Sequence, residues 1–383
     1  MSEQRPKMCV LTTTPLVVHF FLKPHLRELA RHFDVVLSCN FLSDPYLPQL
    51  DLPVVEVSVS LERRIVPWRD LLALFELFQL FRRERFDIVV TVVPKAGLLG
   101  MFVAWTLRVP RRVHIFQGEV WVSRRGPVRW LLKWADGLTA RLATHVLAVS
   151  SSERNFLERE GVVSLNKAQV LGEGSICGVD TAKFRADPSA RAKVRVKLGI
   201  PDDAVICIYL GRLTTDKGIL DLAQAFARVA ANRSELWLLL VGPDEERMNS
   251  RLCELVPEQF QSRMVIRGFT EKPEEFLAAS DFLCLPSYRE GFGMVILEAA
   301  AVGIPAIGTR IHGITDAIEE GRTGRLVSVG DVEALTEALT QCCEQPGERR
   351  RFGAAAQKRV TSLFEQKIVV DRYVEYFRSL CGR

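Results

Sequence analysis

Twelve short aliphatic runs recur along the chain, each parted from the next by a helix-length segment with one apolar face. In the first half they are Met8–Thr13, Asp34–Cys39, Val54–Val59, Asp87–Val93, Arg111–Phe116 and His145–Ser150. In the second half they are Ala204–Leu210, Glu235–Val241, Met264–Gly268, Asp281–Pro286, Pro305–Gly308 and Gly324–Val327. Runs nearly continuous in Val, Ile and Leu, not alternating with polar residues, predict parallel strands covered on both faces. Carried twice through the chain, this strand–helix alternation predicts an α/β protein of two doubly wound domains.

The rhythm breaks between Gly172 and Pro201. Gly172-Glu-Gly-Ser-Ile-Cys-Gly178 is glycine-rich, and a charged helix candidate, Ala190–Leu198, follows it. Its glycines are not spaced as a dinucleotide fingerprint, which favours a hinge or crossover loop. We expect one domain over residues 1–180 and a second over 181–363. A last amphipathic helix, Phe364–Leu380, has Phe364, Ile368, Tyr373, Tyr376 and Phe377 as its apolar stripe.

Composition narrows the class. The 383 residues are 48% hydrophobic and 25% charged, as expected of a folded, water-soluble protein with large cores. No apolar run reaches the ~18 residues of a spanning helix, and the first residues lack a signal-peptide pattern. The nine cysteines form no CxxC pair, and Cys39, Cys207 and Cys284 sit in strand-like runs, which points to reduced thiols in a cytoplasmic compartment. The net charge of +5 is uneven: residues 1–170 hold 23 basic against 16 acidic side chains, the remainder 28 against 30. The basic half suits an anionic partner: nucleic acid, anionic lipid or a phosphorylated acceptor. No nucleic-acid-binding module accompanies the charge, so nucleic acid is not expected.

The chemistry concentrates at two predicted strand ends of the second half. After Ala204–Leu210 comes Gly211-Arg-Leu-Thr-Thr-Asp-Lys-Gly218, which sets Arg212 and Lys217 where open α/β sheets bind ligands. After Asp281–Pro286 comes a turn with Glu290, Gly291, Phe292 and Gly293, then a helix carrying Glu298 about six residues in. A helix N-terminus offers free N–H groups and partial positive charge to a phosphate. A carboxylate beside it suits sugar hydroxyls, and one in so apolar a context as Glu298 wants a partner. Phosphate and sugar in one segment suggest a nucleotide-sugar. A departing nucleoside diphosphate must have its charge stabilised. The chain has no D-x-D and no metal-ligand cluster, so two cations and a helix N-terminus are expected to serve without metal. Solvated loop charges and a structural salt bridge are the plainer readings of the same residues.

The segment from Arg289 to Thr309, with Gly211-Arg-Leu and Asp216-Lys-Gly218, resembles the retaining glycosyltransferases of family 4. Glu290 and Glu298 match the family's E-x7-E element, and Val241-Gly-Pro-Asp244 and Arg267-Gly-Phe269 look like its nucleotide-side loops. The resemblance implies a GT-B fold of two facing Rossmann-like domains, with the final helix returning to the first. It implies a diphosphate held by Arg212 and Lys217, a ribose at Glu298, and a donor-sugar hydroxyl at Glu290 beside the Gly291 and Phe292 amides. It also places Gly242, Arg267, Gly268, Phe269 and Gly293 around the donor. In the first half, Pro94–Gly100, His114–Gly118 with Trp121, and Leu171–Asp180 resemble the subgroup that extends polyprenyl-diphosphate-linked oligosaccharides. By that likeness His114 would contact the donor sugar or phosphate, and Lys95 a phosphate. A satisfied core histidine is the plainer reading of His114. Two departures stand out. Thr12-Thr13-Thr14-Pro15 replaces the family's Gly-Gly pair, leaving backbone or hydroxyl groups to meet the donor phosphates. Gln117-Gly118-Glu119 replaces Thr-Gly-Gln, with consequences for acceptor or donor-sugar choice.

Arg125, Arg129 and Lys133 recur at i, i+4 and i+8, a positive helical stripe beside Trp130 and Trp134. Such a stripe, like Trp68–Phe86 with its phenylalanines and terminal arginines, can dock at anionic headgroups. Ordinary helices over a sheet would show the same residues. The sequence thus leads us to expect a metal-independent, retaining glycosyltransferase with a UDP-sugar donor and a lipid-linked sugar acceptor, peripheral at the inner face of the cell membrane. A UDP-sugar 2-epimerase and a non-catalytic sugar-nucleotide binder are the alternatives.

Overall fold

The computed structural model describes residues 5–43 and 50–382. The chain forms two compact units, Met1–Cys177 with Gln366–Arg383, and Gly178–Glu365. Each of the twelve aliphatic runs is a strand, with ends within two residues of expectation.

Unit 1 is a seven-stranded sheet of β1 (Lys7–Leu11), β2 (Asp34–Cys39), β3 (Val55–Ser58), β4 (Ile88–Val92), β5 (Arg111–Phe116), β6 (His145–Ala148) and β7 (Ala168–Gln169). The order is β3-β2-β1-β4-β5-β6-β7, all parallel. β7, two residues long, has no sequence pattern of its own and was not expected. Helices Pro67–Glu84, Pro94–Thr106 and Gly126–Leu142 each bury side chains in one core with β1, β4 and β6. The closing helix, Gln366–Leu380, packs on helix Lys23–Leu29. There the rings of Tyr373 and His25 meet edge to face at 4.8 Å, and the Tyr373 hydroxyl donates to the Ser175 carbonyl at 3.3 Å.

Unit 2 is a six-stranded parallel sheet of β8 (Val205–Leu210), β9 (Leu236–Val241), β10 (Met264–Arg267), β11 (Phe282–Leu285), β12 (Ala306–Thr309) and β13 (Gly324–Val327). The order is β10-β9-β8-β11-β12-β13. Ile206, Ile208 and Leu238 through Leu240 are fully buried, as continuous aliphatic runs require. Both units are Rossmann-like. In each, strand order reverses at one point: between β1 and β4, and between β8 and β11. Crevices at the carboxyl ends of such strands are where doubly wound sheets bind ligands.

Candidate functional site

At the switch point of unit 2, the loop after β8 meets the loop after β11. The Tyr288 amide donates to the Asp216 carbonyl at 2.9 Å, and Arg289 pairs with Asp216 at 3.1 Å. Gly218 has φ +68°, and a Cβ there would lie 2.0 Å from the Pro286 carbonyl oxygen. Only glycine permits that approach. The loop after β9 joins in the same way. Gly242 has φ +146°, with room for no Cβ against the Gly211 carbonyl, and the Leu213 amide donates to Pro243.

These backbone contacts bring the charged residues together. Lys217 Nζ donates to Glu290 Oε1 at 2.6 Å, and the Ser287 hydroxyl donates to the same oxygen at 2.9 Å. Both charged side chains are only 14% exposed. Arg212 pairs with Glu245 at 2.9 Å, and the hydroxyl of Tyr209 donates to the Arg212 carbonyl. Burial would lower the Arg212 guanidinium, but the Glu245 carboxylate raises it above its ordinary value. Burial would raise Asp216, but the Thr214 hydroxyl and the Lys217 and Arg289 charges hold it below the usual carboxylate range. The site therefore holds fixed charges of both signs in a partly desolvated space.

Gly293, at φ +65°, caps helix Met294–Val302. Glu298 is its fifth residue, one position earlier than expected. Its neighbours Ile296, Leu297 and Ala299 are buried. Burial pushes the Glu298 carboxyl up to about 7, the Lys183 charge partly offsetting this and Glu274 adding to it. Among the described residues Glu298 makes no hydrogen bond or ion pair, so its oxygens are available to a hydroxyl. The Phe292 side chain belongs to the core, 5.5 Å from Phe364, which leaves only its backbone for a ligand. Arg267, the last residue of β10, and Gly268 and Phe269 after it are exposed, and the Gly242 amide donates to the Arg267 carbonyl.

The unit 1 candidates have the following surroundings. His114 is buried, its Nδ1 2.8 Å from the Thr91 hydroxyl, and desolvation lowers the ring to about 3. The ring is therefore held in its neutral form. Lys95 is not a free cation: its Nζ pairs with Asp70 and donates to the Arg64 carbonyl, each at 2.5 Å. Trp121 is buried, stacked at 5.4 Å on Phe156, with its indole N–H donating to Asp136 at 2.9 Å. It offers an acceptor no surface. Arg129 and Lys133 both pair with Glu160, at 3.1 and 2.8 Å, and lie over the Trp121 ring. One carboxylate thus offsets part of the positive stripe, and among the described residues Arg125 makes no ion pair. Gln117 is half-buried. In the loop that replaces the glycine pair, Thr12 is fully buried and its hydroxyl finds no partner among the described residues.

Sequence reasoning passed over Ser287, Tyr209, Glu245 and Asp136. A local sequence signal exists for Ser287, three residues before Glu290, and for Tyr209, three before Arg212. Glu245 reaches Arg212 from 33 residues away, and Asp136 belongs to unit 1, where it accepts from Trp121. Burial pushes Asp136 up to about 7, against the pull of the Trp121 N–H. Among the described residues no group of three or more His, Cys, Asp or Glu is placed to hold a metal ion.

Residues 190–359 match the family model described as glycosyl transferases group 1, and residues 22–172 that of the glycosyl transferase 4-like domain. The chain is 29% identical over 323 residues to a capsular polysaccharide biosynthesis glycosyltransferase, CapM, of Staphylococcus aureus, covering 84% of each protein. It is 28% identical over 314 residues to the UDP-Gal:alpha-D-GlcNAc-diphosphoundecaprenol alpha-1,3-galactosyltransferase of Escherichia coli, covering 81% of this chain and 80% of that one. Among solved structures, Anabaena HepE in complex with UDP and glucose superposes with a TM-score of 0.80 at 20% identity, over 98% of this chain and 100% of that one. WaaG, a glycosyltransferase involved in lipopolysaccharide biosynthesis, gives 0.74 at 17%, over 97% and 98%.

Proposed function

We propose that this chain, which belongs to the glycosyltransferases of the GT-B fold, moves a hexose or N-acetylhexosamine from a UDP-sugar to a polyprenyl-diphosphate-linked sugar in surface polysaccharide or glycan assembly. The observation that carries the donor half is the Lys217–Glu290 pair, 2.6 Å across, held between two locked loops beside a capped helix N-terminus. Lys217 and Arg212 bind the diphosphate, and Glu290 orients a donor-sugar hydroxyl. Glu298, without a protein partner, receives the ribose. The UDP complex of HepE and the named donor of the E. coli relative support UDP as the nucleotide. The acceptor class rests on that relative and on the subgroup motifs of the first half.

Transfer proceeds with retention and without metal. The bond from the anomeric carbon to the diphosphate oxygen breaks, and the acceptor oxygen bonds to that carbon on the same face. The acceptor proton passes to the departing diphosphate oxygen, whose charge Lys217, Arg212 and the helix N-terminus stabilise. No protein nucleophile is required. The enzyme works at the inner face of the cell membrane, where a lipid-linked acceptor is found.

The test is a panel of radiolabelled sugar nucleotides against membranes bearing diphosphate-linked acceptors, with and without chelator. Transfer from one UDP-sugar, unchanged by chelator and lost in folded Lys217→Ala and Glu298→Ala, is expected. Near-normal turnover in either variant overturns the donor assignment, and loss on chelation overturns metal independence. Conversion of the UDP-sugar alone, with no acceptor, would favour epimerisation.

A further inference from the structure

We infer that Arg289 is a positioning residue: by occupying the Asp216 carboxylate it leaves Lys217 free to move from Glu290 to the donor diphosphate. This role rests on the donor reading of Lys217 and Glu290 given above. Two consecutive residues of the loop after β8, Asp216 and Lys217, pair with two consecutive residues of the loop after β11, Arg289 and Glu290. The pairs have opposite polarity, so each loop carries one charge of each sign at neighbouring positions.

One of these pairs has to open during the proposed transfer. Lys217 Nζ lies 2.6 Å from Glu290 Oε1. For Lys217 to meet a phosphate and Glu290 a sugar hydroxyl, they must part. An ammonium released in so enclosed a place goes to the nearest unmet anion. Asp216 precedes Lys217 in the same short turn, Thr215–Lys217, and already feels its charge. Both Asp216 oxygens are taken, however. Oδ1 accepts from the Thr214 hydroxyl at 2.5 Å, and Oδ2 from Arg289 Nη2 at 3.1 Å. Other carboxylates of these loops are engaged too: Glu245 with Arg212, and Glu246 with the Thr215 amide and hydroxyl. With Asp216 filled, the incoming diphosphate is the anion left for Lys217.

The loops do not need Arg289 to stay together. The Tyr288 amide donates to the Asp216 carbonyl, and Gly218 lies against the Pro286 carbonyl. Stability does not explain its placement either. Its Nε is buried and has no partner among the described residues, a desolvated donor that nothing offsets. An arginine held so, on the carboxylate beside the diphosphate lysine, acts on charge placement.

The test is calorimetric titration with UDP, alongside uridine, which has no phosphate. Arg289→Gln should weaken UDP ~10-fold, the size of one charge-assisted contact, and leave uridine within ~2-fold. Arg289→Lys, which keeps the charge, should hold UDP within ~3-fold. Asp216→Asn/Arg289→Gln should also return UDP to within ~3-fold of the parent, because no carboxylate then competes for Lys217. Circular dichroism checks folding, and Arg289→Met replaces the glutamine variant if that one does not fold. Parent-like UDP binding by Arg289→Gln overturns the role. So does a double variant as weak as the single one, which would make Arg289 a clamp or a direct phosphate contact. Lys217→Ala separates the two failures. If it binds UDP like the parent, the donor reading falls; if it binds weakly while the double variant stays unrescued, the role of Arg289 alone falls.

Discussion

Lys217 and Lys95 are nearly the same residue by local description. Each follows a central parallel strand, at the switch point of its own unit, paired with a carboxylate at 2.6 or 2.5 Å and about 15% exposed. Their surroundings part them. The partner of Lys217, Glu290, sits in a glycine turn opening a helix, with Ser287 on the same oxygen. The partner of Lys95, Asp70, lies in the first turn of a covering helix, and Lys95 also donates to the Arg64 carbonyl, fastening the loop before that helix. An ion pair at a strand end is therefore not by itself a site. Both lysines stand near a helix N-terminus, Lys95 in the first turn of its own; what distinguishes Lys217 is that its partner lies in a glycine turn that also carries Ser287.

Breaking the two pairs should separate them most sharply. Lys217→Ala should lower kcat/KM ~1000-fold by removing charge stabilisation at the leaving diphosphate. Lys95→Ala should leave turnover within ~5-fold and lower the melting temperature, since Asp70 is left unpaired. Equal kinetic losses in the two variants would dissolve the distinction. Next in size, Glu290→Gln should cost ~100-fold in kcat while thermal stability holds, because the amide keeps the Ser287 hydrogen bond.

A pH experiment sharpens the contrast through Glu298. Its ordinary value of 4.5 is raised to about 7 by burial. A raised carboxyl stabilises the fold fully below 4.5, and that contribution is lost as pH rises through 7. Glu298→Gln should therefore match the parent near pH 5 and exceed it by about 1–2 kcal/mol near pH 8, read from denaturant midpoints. If the ionised form receives the ribose, the parent's donor KM should fall as pH rises through 7, and the Gln variant's should stay flat. The smallest effect belongs to Thr12→Val, which removes the unpartnered hydroxyl. It should leave stability within ~1 kcal/mol, and a donor KM raised a few-fold would place that hydroxyl on the donor.

Most of the fold was legible in the sequence. Parallel strands buried on both faces must be aliphatic throughout, so each announced itself within two residues of its ends. The exception, β7, is too short for any period. The loops of unit 2 were legible as a cluster because their glycines and charges are close in sequence and specific in spacing. The duties of His114, Lys95, Trp121 and Arg129 were not. Their partners Thr91, Asp70, Asp136 and Glu160 lie 15 to 31 residues away, and only tertiary packing unites them. Trp105 was equally silent: its helix is apolar on every side, a pattern that ordinarily means burial, and only the structure shows one face uncovered.

The return of helix Gln366–Leu380 to unit 1 governs the order of assembly. Unit 2 is continuous in sequence and is complete once Glu365 has been synthesised, whereas unit 1, begun first, is still missing the helix that covers His25. Without that helix the second unit has all of its own elements and the first does not. A chain truncated after Glu365 should hold unit 2 protease-resistant and leave unit 1 cleavable.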